Sequence, residues 1–212
     1  MSADDPEQLP MAAGSSPFRI KGVAYLGHAE YADAFVPGGS AAVTESFRDP
    51  CLRAFFGQRF LAASWYDALP MVPVWYASAN LLRQNPTDFL KTRARHQALR
   101  DIRTVYRFIL KFVSAEAVAL RVPHVVQRYF DFGTVESSVV GRGLVRAALH
   151  GVPTFLVPWL RTVSETYLEV ALELAGVTFA QLRRLPVVSS GEAHGLPVAS
   201  VGLELQLDPS AG

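Results

Sequence analysis

The chain has 212 residues, half of them hydrophobic, with 18% charged residues and a formal net charge of +1. That is enough apolar material for a packed domain, and it excludes an intrinsically disordered chain. The near-neutral balance gives no basic field of the kind that draws nucleic acid to a whole protein.

Residues 1–17 are polar, acidic at the start and rich in Pro, Gly and Ser. They are expected to form a disordered tail, and they lack the positive start and apolar centre of a secretory signal. Residues 18–31 open with a strand, 19–26, and turn helical near Ala29. Pro37-Gly38-Gly39-Ser40 is a loop. Asp49 caps a short helix whose first position suits Pro50, with Leu52, Phe55, Phe56 and Phe60 on its apolar side. Residues 64–67 read as a turn and 70–83 as a helix.

Asn85-Pro86-Thr87-Asp88 is a helix start: a capping side chain, a proline at the first position and an early carboxylate. In the helix that follows, Ala98, Ile102, Val105, Ile109 and Phe112 form one stripe. Arg93, His96, Arg100, Arg103, Arg107 and Lys111 form the stripe opposite. Such a basic stripe is either a solvated outer face or a docking surface for an acidic partner, phosphate or headgroups. No aromatic residues interleave with it, which argues against single-stranded nucleic acid. Residues 114–121 form another short helix, and Pro123 starts or kinks the next.

A hairpin follows. Val135, Ser137 and Val139 alternate with Glu136 and Ser138, and Gly141-Arg142-Gly143 breaks the run before Leu144, Val145, Ala147 and Leu149. Period-two alternation around glycines predicts paired antiparallel strands. A long helix comes next, with Leu156, Trp159 or Leu160, Val163, Tyr167, Val170 and Leu174 on one face. Glu165, Glu169 and Glu173 run down another face, one turn after Arg161. Pro158 fits only its first turn, and Gly176 stands where a left-handed cap belongs. Residues 177–188 are partly strand, 189–195 a loop, and 198–207 a half-buried strand, leaving 208–212 as a tail. The predicted fold is α+β: a small antiparallel sheet packed against several helices, as one domain over 18–207.

The run RYFDFGTVE, the hairpin and the helix ending LELAG resemble a paralogous family of myxobacterial proteins without an established role. The resemblance covers roughly 19–206. Its layout is similar to heme–nitric oxide/oxygen-binding domains, to vinyl-four-reductase ligand-binding domains and to subunits of the TRAPP tethering complex. It implies a sensory or binding module, and folds that commonly pair as homodimers. In the gas-sensing relatives a histidine on the helix before the hairpin ligates heme iron, and His124 loosely matches that place. Their Tyr-x-Ser-x-Arg propionate clamp is absent, with Ala148, Leu149, His150, Gly151 and Val152 around that position. The zinc-binding cysteines of vinyl-four-reductase relatives are absent from 189–205.

Other chemistry is also missing. Asp131-Phe132-Gly133 spells a kinase motif, but no glycine-rich loop or catalytic-loop sequence accompanies it. There is no phosphate loop, HExxH or GxSxG. Cys51 is alone, so neither an intrachain disulfide nor a cysteine zinc cage can form, which suits a reducing cytoplasm. His28, His96, His124, His150 and His194 form no local ligand pair, and no metal or cofactor is expected. No apolar run is long enough to span a bilayer.

The expected function is a non-enzymatic cytoplasmic sensory or binding module with an apolar small-molecule pocket. Trp75, Tyr76, Tyr106, Tyr129 and Trp159 are the pocket candidates, with Trp65, Tyr66 and Phe130 as further aromatics. The alternative is a scaffold acting through protein contacts alone. A homodimer is expected, with Phe55, Phe56, Phe60 and Trp65 as apolar surface to bury.

Overall fold

The computed structural model describes residues 5–102, 115–177 and 179–207. The chain divides into two compact units. The described residues up to Arg93, with Tyr129–Asp131, form unit 1. Those from Ala94 to Arg128 and from Phe132 onward form unit 2.

Unit 1 is helical with a two-stranded ribbon. Strand β1 (Arg19–Lys21) pairs antiparallel with β2 (Trp65–Asp67), and Ile20 also bridges to Phe130. Around the ribbon lie α1 (Val23–Phe35), α2 (Gly39–Ser46), α3 (Pro50–Phe56), α4 (Met71–Leu81) and the start of α5 (Pro86–Asp101). The local start signals act as read. The Asp49 carboxylate accepts from Cys51 N at 2.8 Å, and the Asn85 side chain accepts from the amides of Thr87 and Asp88 at 2.9 and 3.3 Å. The strand predicted over 19–26 stops at Lys21, and helix begins at Val23. Residues 65–67 are a strand rather than a turn, a segment too short to show a period.

The described part of the N-terminal segment is not a loose tail. The amides of Gly14 and Ser16 donate to the Asp67 carboxylate at 2.9 and 3.2 Å, and Ser16 is buried. Leu9 and Ala13 pack on a core of Ala32, Val36, Val43, Phe47, Leu52 and Val74. The aromatics assigned to a dimer surface mostly serve this unit instead. Phe55 is buried, Phe56 stacks on Phe47 with centroids 5.1 Å apart, and Phe60 stacks on Tyr25 at 4.6 Å.

Unit 2 is an antiparallel sheet with helices. The sheet runs in the order β3 (Thr134–Gly141), β4 (Leu144–Pro153), β7 (Leu196–Leu207), β5 (Phe179–Arg184), with β6 (Val188–Ala193) paired to β7. The α+β class is as predicted. Its helices are the end of α5, α6 (Ala115–Gln127) and α7 (Val157–Leu174). The two short helices expected on either side of residue 122 are one, with Pro123 inside it. Residues 189–195 are not a loop. They form most of β6 and a turn at His194-Gly195, whose positive φ values of 51° and 76° close the hairpin onto β7.

The β3–β4 hairpin turns through Gly143 at φ 65°; Gly141 is not left-handed and sits at a bulge. Pro158 lies in the first turn of α7, and Gly176 ends that helix at φ 71°. Val118, Ala119, Val145, Leu168, Leu172 and Leu205 fill the core.

Gly133, the last residue of the kinase-like triplet, has a backbone role. Its φ is 77°, and a Cβ there would sit 2.6 Å from the His150 carbonyl oxygen. Gly133→Ala is therefore expected to cost about 1–3 kcal/mol in backbone strain, before the contact itself is counted. Chemical denaturation checks this; a variant as stable as the parent would show that the hairpin start yields freely.

Candidate functional site

In unit 2 a cavity of about 60 Å³ lies among α6, α7 and the strands β3, β4 and β7. Its apolar wall includes Leu149, Leu160, Leu168, Val201 and Leu203. Small residues leave the space open: Ala147 and Ala148 on β4, and Gly202 on β7. Four polar side chains also reach it, from Gln127 on α6 and from Arg161, Ser164 and Glu165 on α7. Their spacing on α7 puts residues 160, 161, 164, 165 and 168 on one helical face.

Two of these polar groups are already committed. Gln127 Nε2 donates to the Gly133 carbonyl at 2.9 Å. Glu165 is only 7% exposed and its carboxylate is held by Arg184, with Nε at 2.9 Å and Nη2 at 2.7 Å. That hydrogen bond raises the pKa of the Arg184 guanidinium. The sequence put Glu165 on a charged face one turn after Arg161; the structure buries it, because Arg184 of β5 brings a counter-charge that allows burial.

Arg161 is different. Its Nη2 donates to the Leu185 carbonyl at 2.5 Å, whereas its Nε is buried with no hydrogen-bond partner among the described residues. An unmet buried donor costs roughly 1–3 kcal/mol. The cavity itself combines an apolar wall with a few polar side chains, the usual make-up of a small-molecule site.

Unit 1 carries an open groove of about 800 Å³, lined by Tyr25, Val43, Phe56 and Phe60 with Thr44, Glu45 and Arg59 among its polar residues. Polar chemistry also gathers at His150. Its Nδ1 lies 2.8 Å from Ser200 Oγ, which lies 2.8 Å from Ser190 Oγ, and its Nε2 lies 3.5 Å from the Glu136 carboxylate. This chain links β3, β4, β6 and β7, and its residues line neither cavity.

The aromatic pocket candidates are not gathered in one place. Trp75 is buried in unit 1 with Nε1 donating to the Pro86 carbonyl at 2.5 Å, and Tyr76 packs on it at 4.4 Å. Tyr129 is half-buried in unit 1, and Trp159 is buried in unit 2. None of these four lines either cavity. Tyr106 lies outside the described residues.

Of the basic stripe, Arg93 is buried, with Nη2 donating to the Ala24 carbonyl at 3.1 Å, so it is not part of an exposed docking face. Arg100 is exposed; Arg103, Arg107 and Lys111 lie outside the described residues. Among the described residues no group of three or more His, Cys, Asp or Glu could hold a metal, and no helix is long and apolar enough to cross a membrane.

No family model and no curated protein matches the sequence. Solved structures do match in fold. A structure from a study of heme distortion in the H-NOX family superposes with a TM-score of 0.62 at 9% identity, covering 89% of this chain and 95% of that one. A point mutant of H-NOX from T. Tengcongensis gives 0.59 at 10% identity, over 88% and 98% of the two chains. An oxygen-binding H-NOX domain related to soluble guanylate cyclases gives 0.58 at 9% identity, over 90% and 97%. The fold is thus similar to that of H-NOX domains, as the layout of the sequence implied.

The described residues do not fit a heme held by His124. Its side chain is exposed on α6, with Nε2 3.2 Å from Ser137 Oγ, and it lines neither cavity. The corresponding end of β4, Ala148 to Val152, supplies no cationic clamp for propionates.

Proposed function

We propose that this protein is a non-enzymatic, cytoplasmic sensory module that binds a small apolar molecule in the cavity beneath α7. The observation that carries this reading is the apolar cavity of unit 2, walled by Leu149, Leu160, Leu168, Val201 and Leu203. The likeness to H-NOX structures supports a ligand-binding role on this fold. Membership of the myxobacterial family belongs to the same proposal. Heme is not the ligand in this reading, since His124 faces water.

Native mass spectrometry of the freshly purified chain tests the proposal. A small retained mass is expected, and it should be lost in Ala147→Val, which fills the cavity while keeping the far-ultraviolet circular dichroism unchanged. A parent protein that carries no added mass, and whose melting temperature no small apolar probe raises, would overturn it. Added hemin should give no stoichiometric Soret band; a band abolished by His124→Ala would reverse the statement about heme.

A further inference from the structure

We infer that two copies of this chain join edge to edge along β3, as an antiparallel pair with its two-fold axis at Ser137. The inference is independent of the cavity being a ligand site.

The first argument is the edge itself. β3 stands at one end of the sheet order, and among the described residues it pairs with β4 alone. Its outward row of amide and carbonyl groups is left to water or to another strand. Ser137 Oγ donates to the Leu120 carbonyl of α6 at 3.0 Å. Odd-numbered residues of the strand therefore face the helices, and even-numbered ones face away from them.

The second argument is that this edge is unguarded. Folded proteins blunt such edges with lysine, proline, charge or bulges. The opposite edge has these devices: β5 ends in Arg183-Arg184, Pro186 follows, and both β5 and β6 shift register against β7. β3 holds no Lys, Arg or Pro, and its one register shift comes after Val139. Val139 and Val140 are 46% and 43% exposed. Its single charge, Glu136, has its carboxylate 3.5 Å from His150 Nε2 on β4, on the side away from the open edge.

The third argument selects a second copy as the occupant. With the axis at Ser137, Val135 lies opposite the partner's Val139, a pairing of β-branched side chains that favours a sheet. Glu136 lies opposite the partner's Ser138, so no like charges meet. An axis at Glu136 would oppose two carboxylates, and an axis at Ser138 would set Val139 against a serine. The chain is acidic just before the strand, at Asp131, and basic just after it, at Arg142. Neither side chain has an ion-pair partner among the described residues. Antiparallel pairing brings the basic end of each copy beside the acidic end of the other. Pairing of β3 with the guarded edge would run on without closing, whereas the symmetric pair closes after two chains.

Sedimentation of the full chain over a concentration series tests this, with parent, Ser138→Glu and Ser138→Lys proteins. Ser138 is exposed and lies opposite Arg146 on β4, so a carboxylate there suits the single chain. In the pair, the same carboxylate lies directly opposite Glu136, twice by symmetry. The parent should sediment as two chains. Ser138→Glu should weaken the pairing about tenfold or more while keeping the parent circular dichroism. Ser138→Lys places a cation opposite Glu136 and should pair at least as tightly as the parent.

A parent that stays a single chain up to about 0.1 mM would overturn the inference. A dimer indifferent to Ser138→Glu would reject the β3 edge, and one lost equally in both variants would reject the axis at Ser137. Should Ser138→Glu not fold, Val139→Glu takes its place. It sets a carboxylate against the partner's Val135, and an undiminished dimer in it would again reject the β3 edge.

Discussion

Protonation of His28, which is buried in its neutral form, is expected to remove roughly 4 kcal/mol of its contribution to the stability of unit 1 between pH 6.5 and pH 3. Its ring is 6% exposed, with Nε2 2.9 Å from Ser78 Oγ and Phe89 packed edge-on at 6.5 Å. Burial, and secondarily the Arg93 guanidinium nearby, lower its pKa from 6.5 to about 3. Between those values the unfolded chain binds a proton that the folded one refuses. The stabilisation is complete above pH 6.5, falls by about 1.4 kcal/mol per pH unit on acidification, and levels off below pH 3.

Asp67 runs the other way: burial raises its carboxyl pKa, so acidification favours the fold at that group. The contribution of His28 is isolated by comparing urea denaturation of the parent and His28→Gln at pH 7, 5 and 4. The variant should be less stable at pH 7 and show a flatter pH dependence. Two parallel pH curves would mean that His28 titrates in the folded protein much as it does in water.

Phe56→Asp is expected to unfold unit 1, with a cost of at least about 3 kcal/mol. Phe56 is half-buried in an aromatic cluster. It stacks on Phe47 at 5.1 Å and meets Phe55 and Tyr25 edge-on at 5.2 and 5.8 Å. Losing the ring removes all three contacts, and a carboxylate would face Phe47, which is fully buried. From the sequence, Phe56 was expected to be apolar surface buried in a homodimer. Circular dichroism together with sedimentation separates the two outcomes: loss of helical signal is expected, whereas a folded monomer replacing a dimer would restore Phe56 to a surface. A dimer through this region would be read better at Trp65, which is 39% exposed with Lys21 Nζ 5.3 Å from its ring centre.

The two predictions show where the sequence was silent. The aromatic content around residues 55–65 was plain, but its side of the chain was not. Short-range periodicity cannot tell a surface to be buried by a second copy from one already buried by Tyr25 and Phe47. His28 carried no signal either, because its depressed pKa comes from burial and from Arg93, far along the chain. The candidate site was equally hidden. Aromatics drew attention to Trp75, Tyr76, Tyr129 and Trp159, none of which lines the cavities, while Arg161 and Glu165 read only as neighbours one turn apart on a helix face.

What the sequence alone determined is the order of most elements and several of their ends. Asp49, Asn85, Pro158, Gly143 and Gly176 act through hydrogen bonds or dihedral angles within a few residues, so their effect is written locally. The α+β class follows from the same local periods. Tertiary structure alone decided which charges are buried and where the cavity lies. Glu165 is buried because Arg184, nineteen residues on, reaches it, and Arg93 because the Ala24 carbonyl, sixty-nine residues back, accepts from it. The cavity needs Pro123, Ala147, Arg161 and Gly202 together. Desolvation and packing depend on neighbours in space, and those neighbours come from four separate elements whose pairing no single stretch of sequence records.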